Sequence, residues 1–545
     1  MTDERLSLPD DVTELQAMVH SLHRHYESEL AKQAAHIKAS DQKVAELQAR
    51  IRQLLAARFG SRSEKISDAQ LGLFNEAELE AAIAECEEQT SDETTEVSSH
   101  RRRRGKRRPL PAHLPRTDVV HDLPDAEKIC PHDGTALELI DEVQSEQLDI
   151  IPAKLRVVVH KRLKYACPCC RRHNRGHVKT APLAPQPIPK SQASPGLLAY
   201  VATAKFVDAL PLYRQSAQFA RIGVDMPRQT LARWMVKVGR ELVRPLINVL
   251  RDELLSQGYL QMDESTFQVL KEPGKAPQSK SQLWVQRAMD PQRPVVLFSY
   301  RASRSSDTAA ELLGDFQGVL QTDLYVGYHG PGQAPGVVHA FCFAHARRFF
   351  TDGLKGIGIN PQRIPSNPPP QARHLLKGLN LIRALYAIER RIRGSTPEAR
   401  LAERQAHSTV ALERLEAWVR KTRPKALPSS DLGKGLRYIE DHWDGLTYFT
   451  VDGRVEIDTN LTEGEIRPFA IGRNNWKFAD TMAGADASAS IYTLVVTARN
   501  NGLEPYAYLR YVFTHLPAAT TLSDVEALLP WNLTPEMIAP TQAAA

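Results

Sequence analysis

Residues 259–270 read YLQMDESTFQVL, and this stretch decides the fold. Its β-branched and aromatic residues mark a strand, yet Asp263 sits inside it, where a charge is costly unless it is paired or used. Two further strand-like runs follow, QLWVQRAMD (282–290) and PVVLFSYRAS (294–303). A short helical pattern comes next, SSDTAAELLGDF (305–316), and then another strand, GVLQTDLY (318–325). Three strands in a meander, a helix and a fourth strand make a mixed α/β layout. Asp323 closes the fourth strand. If that strand lies parallel to and beside the first, Asp263 and Asp323 meet at one edge. Two carboxylates so placed repel each other unless cations lie between them. A pair of divalent ions about 3.5–4 Å apart supports in-line displacement at a phosphodiester, and Mg²⁺ suits this because it needs few carboxylates.

C-terminal to this block, residues 372–423 are helical and rich in Arg, Leu, Ala and Glu, as expected of an inserted helical unit. A helix over 431–443, a hairpin turning at Asp452-Gly453 and helices to about residue 515 follow, and the last thirty residues read as loosely ordered. N-terminal to it, PLYRQSAQFARI, a break at Gly223 and PRQTLARWMVKVGREL read as helix, turn, helix. Pro227 opens the second helix, with Arg228, Gln229, Thr230 and Arg233 as its groove-facing side chains. Two helices with a glycine turn are also common in proteins that never meet DNA.

Charge is unevenly distributed along the 545 residues, whose formal net charge is only +6. From Glu76 to Glu96 every charged residue is acidic, and Arg101–Arg108 (RRRRGKRR) then carries seven positive charges. Between Lys154 and Val207 there are eleven Lys and Arg and no Asp or Glu. A one-signed stretch across a folded module is the footprint of phosphate contacts, so nucleic acid is the first partner to consider. No apolar run is long enough to span a membrane, and the polar, acidic start MTDERLSLPDD lacks the features of a secretory signal, which points to the cytoplasm.

Four of the six cysteines, Cys130, Cys167, Cys169 and Cys170, lie within about 40 residues, a spacing that points to a metal rather than to disulfides. Cys167-Pro-Cys169-Cys170 contains a C-x-x-C knuckle, and Cys130-Pro-His132-Asp133 precedes it. A structural zinc site needs four thiolate or imidazole ligands. Near the N-terminus, Val12, Leu15, Val19, Leu22, Tyr26, Leu30, Ile37, Val44, Leu47, Ile51 and Leu54 recur mostly at steps of three or four, the seam of a coiled coil. A helix packed on its own domain would show the same periodicity.

The strand order with Asp on the first and fourth strands resembles the ribonuclease-H-like fold of integrases and transposases, whose sites take a third acid from a later helix. The runs FGSRSEK (59–65), SEQLDIIPAKLRVVVHKRLKYACPCC (145–170), LPLYRQS (210–216), MDEST (262–266), LQTDLYVGY (320–328), CFAHARR (342–348) and NLTEGEIRPFAIGRNNWKF (460–478) occur in order. Together they are similar to the insertion sequence 66 family of bacterial transposases over roughly residues 10–510. The resemblance implies a catalytic triad of Asp263, Asp323 and Glu463, separated by 60 and 140 residues, the second gap holding the helical insert. It also implies two Mg²⁺ ions, replaceable by Mn²⁺, on those acids. The family's first zinc knuckle is usually C-x-x-C. With Asp133 in the second position, the implied zinc ligands are Cys130, His132, Cys167 and Cys170, with Cys169, Asp133 and His173 as competitors.

Each acid has a rival. Glu264 adjoins Asp263, and strand alternation puts only one of them on the site face. Asp323 also suits the start of a turn. Asn460-Leu-Thr-Glu463 has the spacing of a helix capping box, and Glu465 is a second candidate. Arg467, one turn after Glu463, either holds a scissile phosphate or forms an ordinary ion pair. Arg473, Asn474, Asn475, Trp476 and Lys477 mix donors with an aromatic, which suits a distorted DNA end and equally suits core packing. His339, Cys342 and His345 are spaced as one face of a helix, where packing is the default reading and a metal the lesser one.

The layout expected is therefore multidomain: a coiled-coil helix (1–60), an acidic and basic linker (61–110), a zinc ribbon-like module (111–190) and a helix-turn-helix (191–250). A ribonuclease-H-like catalytic domain (251–350 and 431–515) interrupted by a helical insertion (351–430), and a tail (516–545), complete it. The function expected is that of a DNA transposase acting on double-stranded DNA, both element terminal inverted repeats and target. It would work in the bacterial cytoplasm at the nucleoid, as a homodimer or larger assembly, with accessory proteins and no membrane. The alternative from another class is a catalytically silent zinc- and DNA-binding regulator derived from a transposase.

Overall fold

The computed structural model describes residues 178–539, residues 155–166 and most of residues 11–33. The chain divides into two compact units, one comprising residues 1–83 and 185–545 and the other residues 84–184. In the second unit the described residues form one antiparallel pair, β1 (Lys164–Ala166) with β2 (Val178–Thr180). Arg162 Nε fastens its end by donating to the Ala181 carbonyl at 2.7 Å. The proposed zinc ligands, Cys130, His132, Cys167 and Cys170, lie outside the described residues. So do the linker and the coiled-coil seam beyond Leu30. Residues 16–30 are helical, with the seam residues Val19, Leu22, Tyr26 and Leu30 exposed.

In the larger unit, β3 (Tyr259–Lys271), β4 (Lys280–Ala288), β5 (Val295–Arg301), β6 (Gly318–Thr322), β7 (Val337–Phe341) and β8 (Ala479–Thr481) form a mixed sheet. Its order is β5-β4-β3-β6-β7, with β8 beside the far end of β3. β4 and β5 are antiparallel to their neighbours, whereas β6 and β7 run parallel to β3. β3 is central, which is why Tyr259–Met262 is buried continuously instead of alternating. The register of β3 against β6 is set where Gly258 and Gly318 meet. Gly318 has φ 135°, and a side chain there would overlap the Gly258 carbonyl.

Helices cover the sheet. α1 (Pro195–Phe206), α2 (Leu212–Arg221), α3 (Arg228–Lys237) and α4 (Arg244–Ser256) precede it, and α5 (Ser306–Leu313) links β5 to β6. α6 (Phe343–Gly356), α7 (Ala372–Arg391), α8 (Pro397–Glu403), α9 (Thr409–Thr422) and α10 (Asp431–Asp441) follow, then α11 (Asn460–Trp476), α12 (Met482–Asn500) and α13 (Pro505–His515). One core joins α1, α3, α4 and the sheet to α12. Almost all of α12 from Ala485 to Ala498 is buried, and its alanines permit close approach. Gly239 lies against Ala487 with no room for a Cβ. A second core, around Phe343, Phe350, Leu379, Leu415 and Leu436, holds the helical insert together.

Two expectations fail here. Asp452-Gly453 turns no hairpin: the chain from Tyr448 to Thr459 runs in turns, with Val455 N–H donating to the Asp452 carbonyl at 3.1 Å. The turn chemistry is right, but the flanking residues bond to the insert and the sheet rather than to each other. The last thirty residues are also packed as far as Ala539. Val525, Leu528, Leu529, Leu533 and Ile538 are buried in the first core, on helical pieces too short to show a period.

Candidate active site

Asp263 lies within β3, and Asp323 directly follows the last residue of the adjacent parallel strand β6. Leu260 pairs with Leu320 and Gln261 with Gln321, and each aspartate follows two residues after the last of these pairs. Asp263 Oδ1 accepts the Glu264 N–H at 2.7 Å, and Asp323 Oδ1 accepts the Tyr325 N–H at 3.0 Å. The turn expected at Asp323 is thus present, and it orients the carboxylate rather than competing with it.

Glu463 comes from the first turn of α11. The helix is capped one residue earlier than a capping box at Asn460 requires: Thr459 is the cap residue, and the Asn460 N–H donates to Asp458 Oδ1 at 3.1 Å. Glu463 Oε1 lies 3.9 Å from His345 Nε2. Burial raises Asp263 well above the usual carboxylate range, and the nearby charges of Glu264, Glu463 and Asp323 push it further in the same direction. Among the described residues, no three His, Cys, Asp or Glu side chains are arranged to grip one ion as they stand.

The rival acids are engaged elsewhere. The Glu264 side chain, 1% exposed, is held by ion-paired hydrogen bonds from Arg304 and by the Tyr328 hydroxyl. Arg304 in turn stacks on the Tyr325 ring at 3.5 Å. Glu465 is buried on the other side of α11, bonded to Arg287, to Arg499 Nη2 at 2.7 Å and to Asn500 Nδ2 at 2.9 Å. Both are structural ion pairs, taken up by cations from β4, α12 and the loop before α5.

Beneath the acids lies a buried polar layer that sequence reading missed. Gln261 and Gln321, two residues before the two aspartates, bond to each other at 2.8 Å, and Tyr259 donates to Gln321 at 2.6 Å. The layer reaches the start of α11 through Gln261 Nε2 to the Asp458 carbonyl (3.0 Å) and Thr462 Oγ1 to Gln261 Oε1 (2.5 Å). Gln321 Nε2 also holds the Glu456 carbonyl at 2.8 Å. Two glutamines at matching strand positions were the available signal, but their partners lie over 130 residues away.

His339, Cys342 and His345 do not share a helix face: His339 is on β7, Cys342 is the cap residue of α6, and only His345 is helical. Cys342 is buried, and its sulfur accepts the Thr459 N–H at 3.3 Å. His339 Nε2 bonds to Thr322 Oγ1 at 2.9 Å. Burial lowers both imidazoles to about 4, so His345 faces Glu463 as a neutral ring at physiological pH.

Of the residues read as DNA-binding, Arg228, Gln229 and Arg233 are exposed on α3 and Thr230 is half-buried. α2 and α3 are joined by a turn at Gly223 with φ 85°, and Pro227 is the cap residue of α3. Arg467 is half-buried on α11. Arg473 ties α11 to β3, donating to Ser265 Oγ and Thr266 Oγ1 at 3.1 and 3.0 Å. Trp476 lies 3.9 Å beneath the Lys205 ammonium, and Lys477 is exposed at the helix end.

Residues 190–487, which include all three acids, match the profile described as Transposase IS66 family. The chain belongs to the IS66 family of transposases. Three further profiles of this family match in order. Residues 46–119 match "Transposase C of IS166 homeodomain", residues 127–171 match the "zinc-finger binding domain of transposase IS66", and residues 493–531 match the "IS66 C-terminal element". The zinc-finger match spans Cys130, His132, Cys167 and Cys170, and the C-terminal match spans most of the packed tail. Among individual relatives, Uncharacterized protein y4qI of Sinorhizobium fredii is 32% identical over 97% of this chain and 98% of its own length. Uncharacterized protein y4jD of the same organism is 35% identical over 78% of this chain and 81% of its own length. No helix among the described residues is long and apolar enough to cross a membrane.

Proposed function

We propose that this IS66-family chain is a DNA transposase of the three-carboxylate type, with Asp263, Asp323 and Glu463 as the catalytic acids. The observation that carries the reading is that Asp263 and Asp323 each follow two residues after the paired Gln261 and Gln321 on neighbouring parallel strands, with Glu463 and Asp323 both close enough to press on the Asp263 charge. The sheet order, three antiparallel strands followed by two parallel ones, supports a ribonuclease-H-like domain interrupted by the helical insert.

The donor set fits Mg²⁺, or Mn²⁺ in its place: hard oxygen ligands, half-buried, with a carboxyl whose ionisation is opposed until positive charge arrives. When bound between Asp263, Asp323 and Glu463, such cations stabilise the attacking and leaving oxygens of a phosphodiester. The chain's own residues do the rest. The Gln261–Gln321 layer ties β3 and β6 to the entry of α11. Neutral His345 flanks Glu463 without adding charge to the site.

DNA recognition falls to the N-terminal half, where the stretch from Lys154 to Val207 carries only positive charge. Arg228, Gln229, Thr230 and Arg233 on α3 would read element ends, with Arg467, Arg473 and Lys477 nearer the scissile strand. Zinc on Cys130, His132, Cys167 and Cys170 would order the module before them. The exposed seam Val19, Leu22, Tyr26 and Leu30 suits pairing with a second copy. The products would be cut element ends and 3′-hydroxyls joined to target DNA. Purified protein incubated with end-containing duplex and Mg²⁺ tests this. Cleaved and joined products from wild type but not from Asp263→Asn support it, and Mg²⁺-independent binding alone would sink it in favour of a silent regulator.

A further inference from the structure

The helical insert grips the segment that delivers Glu463. That segment, Tyr448–Thr459, has no strand or long helix of its own, so its course depends on what holds it from each side. From the sheet side the Gln261–Gln321 layer takes the carbonyls of Glu456 and Asp458. From the other side the insert supplies three side chains, the first being Arg400, whose Nη1 pairs with Glu456 Oε1 at 2.9 Å. Arg404, with a side chain 0% exposed, donates through Nη1 to the carbonyls of Phe449, Gly453 and Val455 at 3.0, 3.3 and 2.9 Å. Its other nitrogens form a two-pronged pair with Glu389 of α7 at 2.8 and 2.6 Å. One turn before Glu389, the Tyr386 hydroxyl donates to Asp458 Oδ2 at 2.7 Å. Asp458 is the carboxylate that receives the Asn460 N–H and the Asn460 side chain at the head of α11.

A buried arginine spent on backbone carbonyls is an expensive way to hold a plain loop, since its charge must be fully compensated. The same arginine is well used if the loop's position matters to a fraction of an ångström, as it does where a metal-binding carboxylate must converge on two others. We propose that the helical insert is a brace for the third carboxylate, and that Tyr386, acting through Asp458, is a positioning residue for Glu463. The inference rests on the reading of Glu463 as the third acid.

The test compares full-length wild type with Tyr386→Phe, which removes one hydroxyl from a half-buried site and leaves the ring and Arg404 in place. Three quantities are measured: amide hydrogen exchange over residues 458–466, the Mg²⁺ concentration giving half-maximal cleavage of an end-containing duplex, and affinity for that duplex without Mg²⁺. Loss of one hydrogen bond to a charged group supports a change of roughly tenfold. Exchange should therefore quicken, and half-saturating Mg²⁺ rise, by about that factor, with DNA affinity within about twofold of wild type. A Tyr386→Phe protein that matches wild type in exchange and in Mg²⁺ dependence overturns the brace. An equal loss of DNA affinity would also overturn it, because that marks general destabilisation. If wild type shows no Mg²⁺-dependent cleavage while exchange at 458–466 still quickens in the variant, the catalytic reading fails and the brace stands.

Discussion

Gly318 opens β6 against the carbonyl of Gly258, and five residues on from each stand Asp323 and Asp263. The contact is close because neither residue has a side chain there, and the positive φ of Gly318 suits no other residue well. The equal spacing carries the alignment of the glycines through to the acids.

Gly318→Ala should therefore cost about 1–3 kcal/mol, the range for a residue forced into a sparsely populated backbone region. Urea denaturation of the two proteins measures it. An unchanged midpoint would mean that the strands adjust, and that the glycine contact does not set the register.

Glu463 and Glu465 should separate cleanly on substitution. Glu463→Gln should leave the fold intact and lower Mg²⁺-dependent cleavage by a factor of about 10² or more. Glu465→Gln strips the buried partner from Arg287 and Arg499 and should cost about 3 kcal/mol or more in stability. Thermal melting and cleavage assays on both variants settle which glutamate plays which part. A stable Glu465→Gln protein without cleavage would exchange the assignments.

Asp263 gives a pH prediction for protein held in a chelator. Its carboxyl is raised in the folded state, so folding favours its protonated form. That contribution is complete below the ordinary carboxylate range and is lost as pH rises through the elevated value. Asp263→Asn should melt higher than wild type at neutral pH without divalent ions, and the gap should close toward pH 4. Added Mg²⁺ should stabilise wild type and leave the variant unmoved.

The buried imidazoles act in the opposite direction. His339 and His345 are lowered to about 4 by burial, against about 6.5 in the unfolded chain. Their contribution to stability is complete above about 6.5 and is lost as pH falls toward 4. Melting temperature should therefore decline across that window, and His345→Gln should flatten part of the decline. Histidine proton shifts that report a charged His345 at pH 6 would refute this.

Zinc content tests the N-terminal module. The chain should carry one zinc per copy by elemental analysis, and Cys167→Ser with Cys170→Ser should abolish it. His132→Ala should weaken it while Asp133→Ala leaves it unchanged. The reverse result would assign the fourth ligand to Asp133.

Much of the site is local in sequence. Strand periodicity over 259–270 places Asp263 within a strand, the pattern over 318–325 places Asp323 at a strand end that the structure sets one residue earlier, and the Gly223 and Pro227 signals locate the turn between α2 and α3. The partners of the rival acids were not readable, because Arg304, Arg287 and Arg499 come from other elements. His339 was misplaced because a spacing of three fits a helix as well as a strand followed by a helix start. The packed tail escaped notice because its apolar residues lie on pieces shorter than one helical period can mark.

By itself, the sequence determined which elements form and which acids they carry, since alternation, glycine turns and proline starts act over a few residues. Which acids stand together was decided only in three dimensions. Glu463 and Glu465 differ by two places on one helix, and nothing local distinguishes them. Arg287 of β4 and Arg499 of α12 claim Glu465, while Glu463 lies beside His345 and near the Asp263 charge. Contacts across more than a hundred residues depend on packing, and packing is a property of the whole chain.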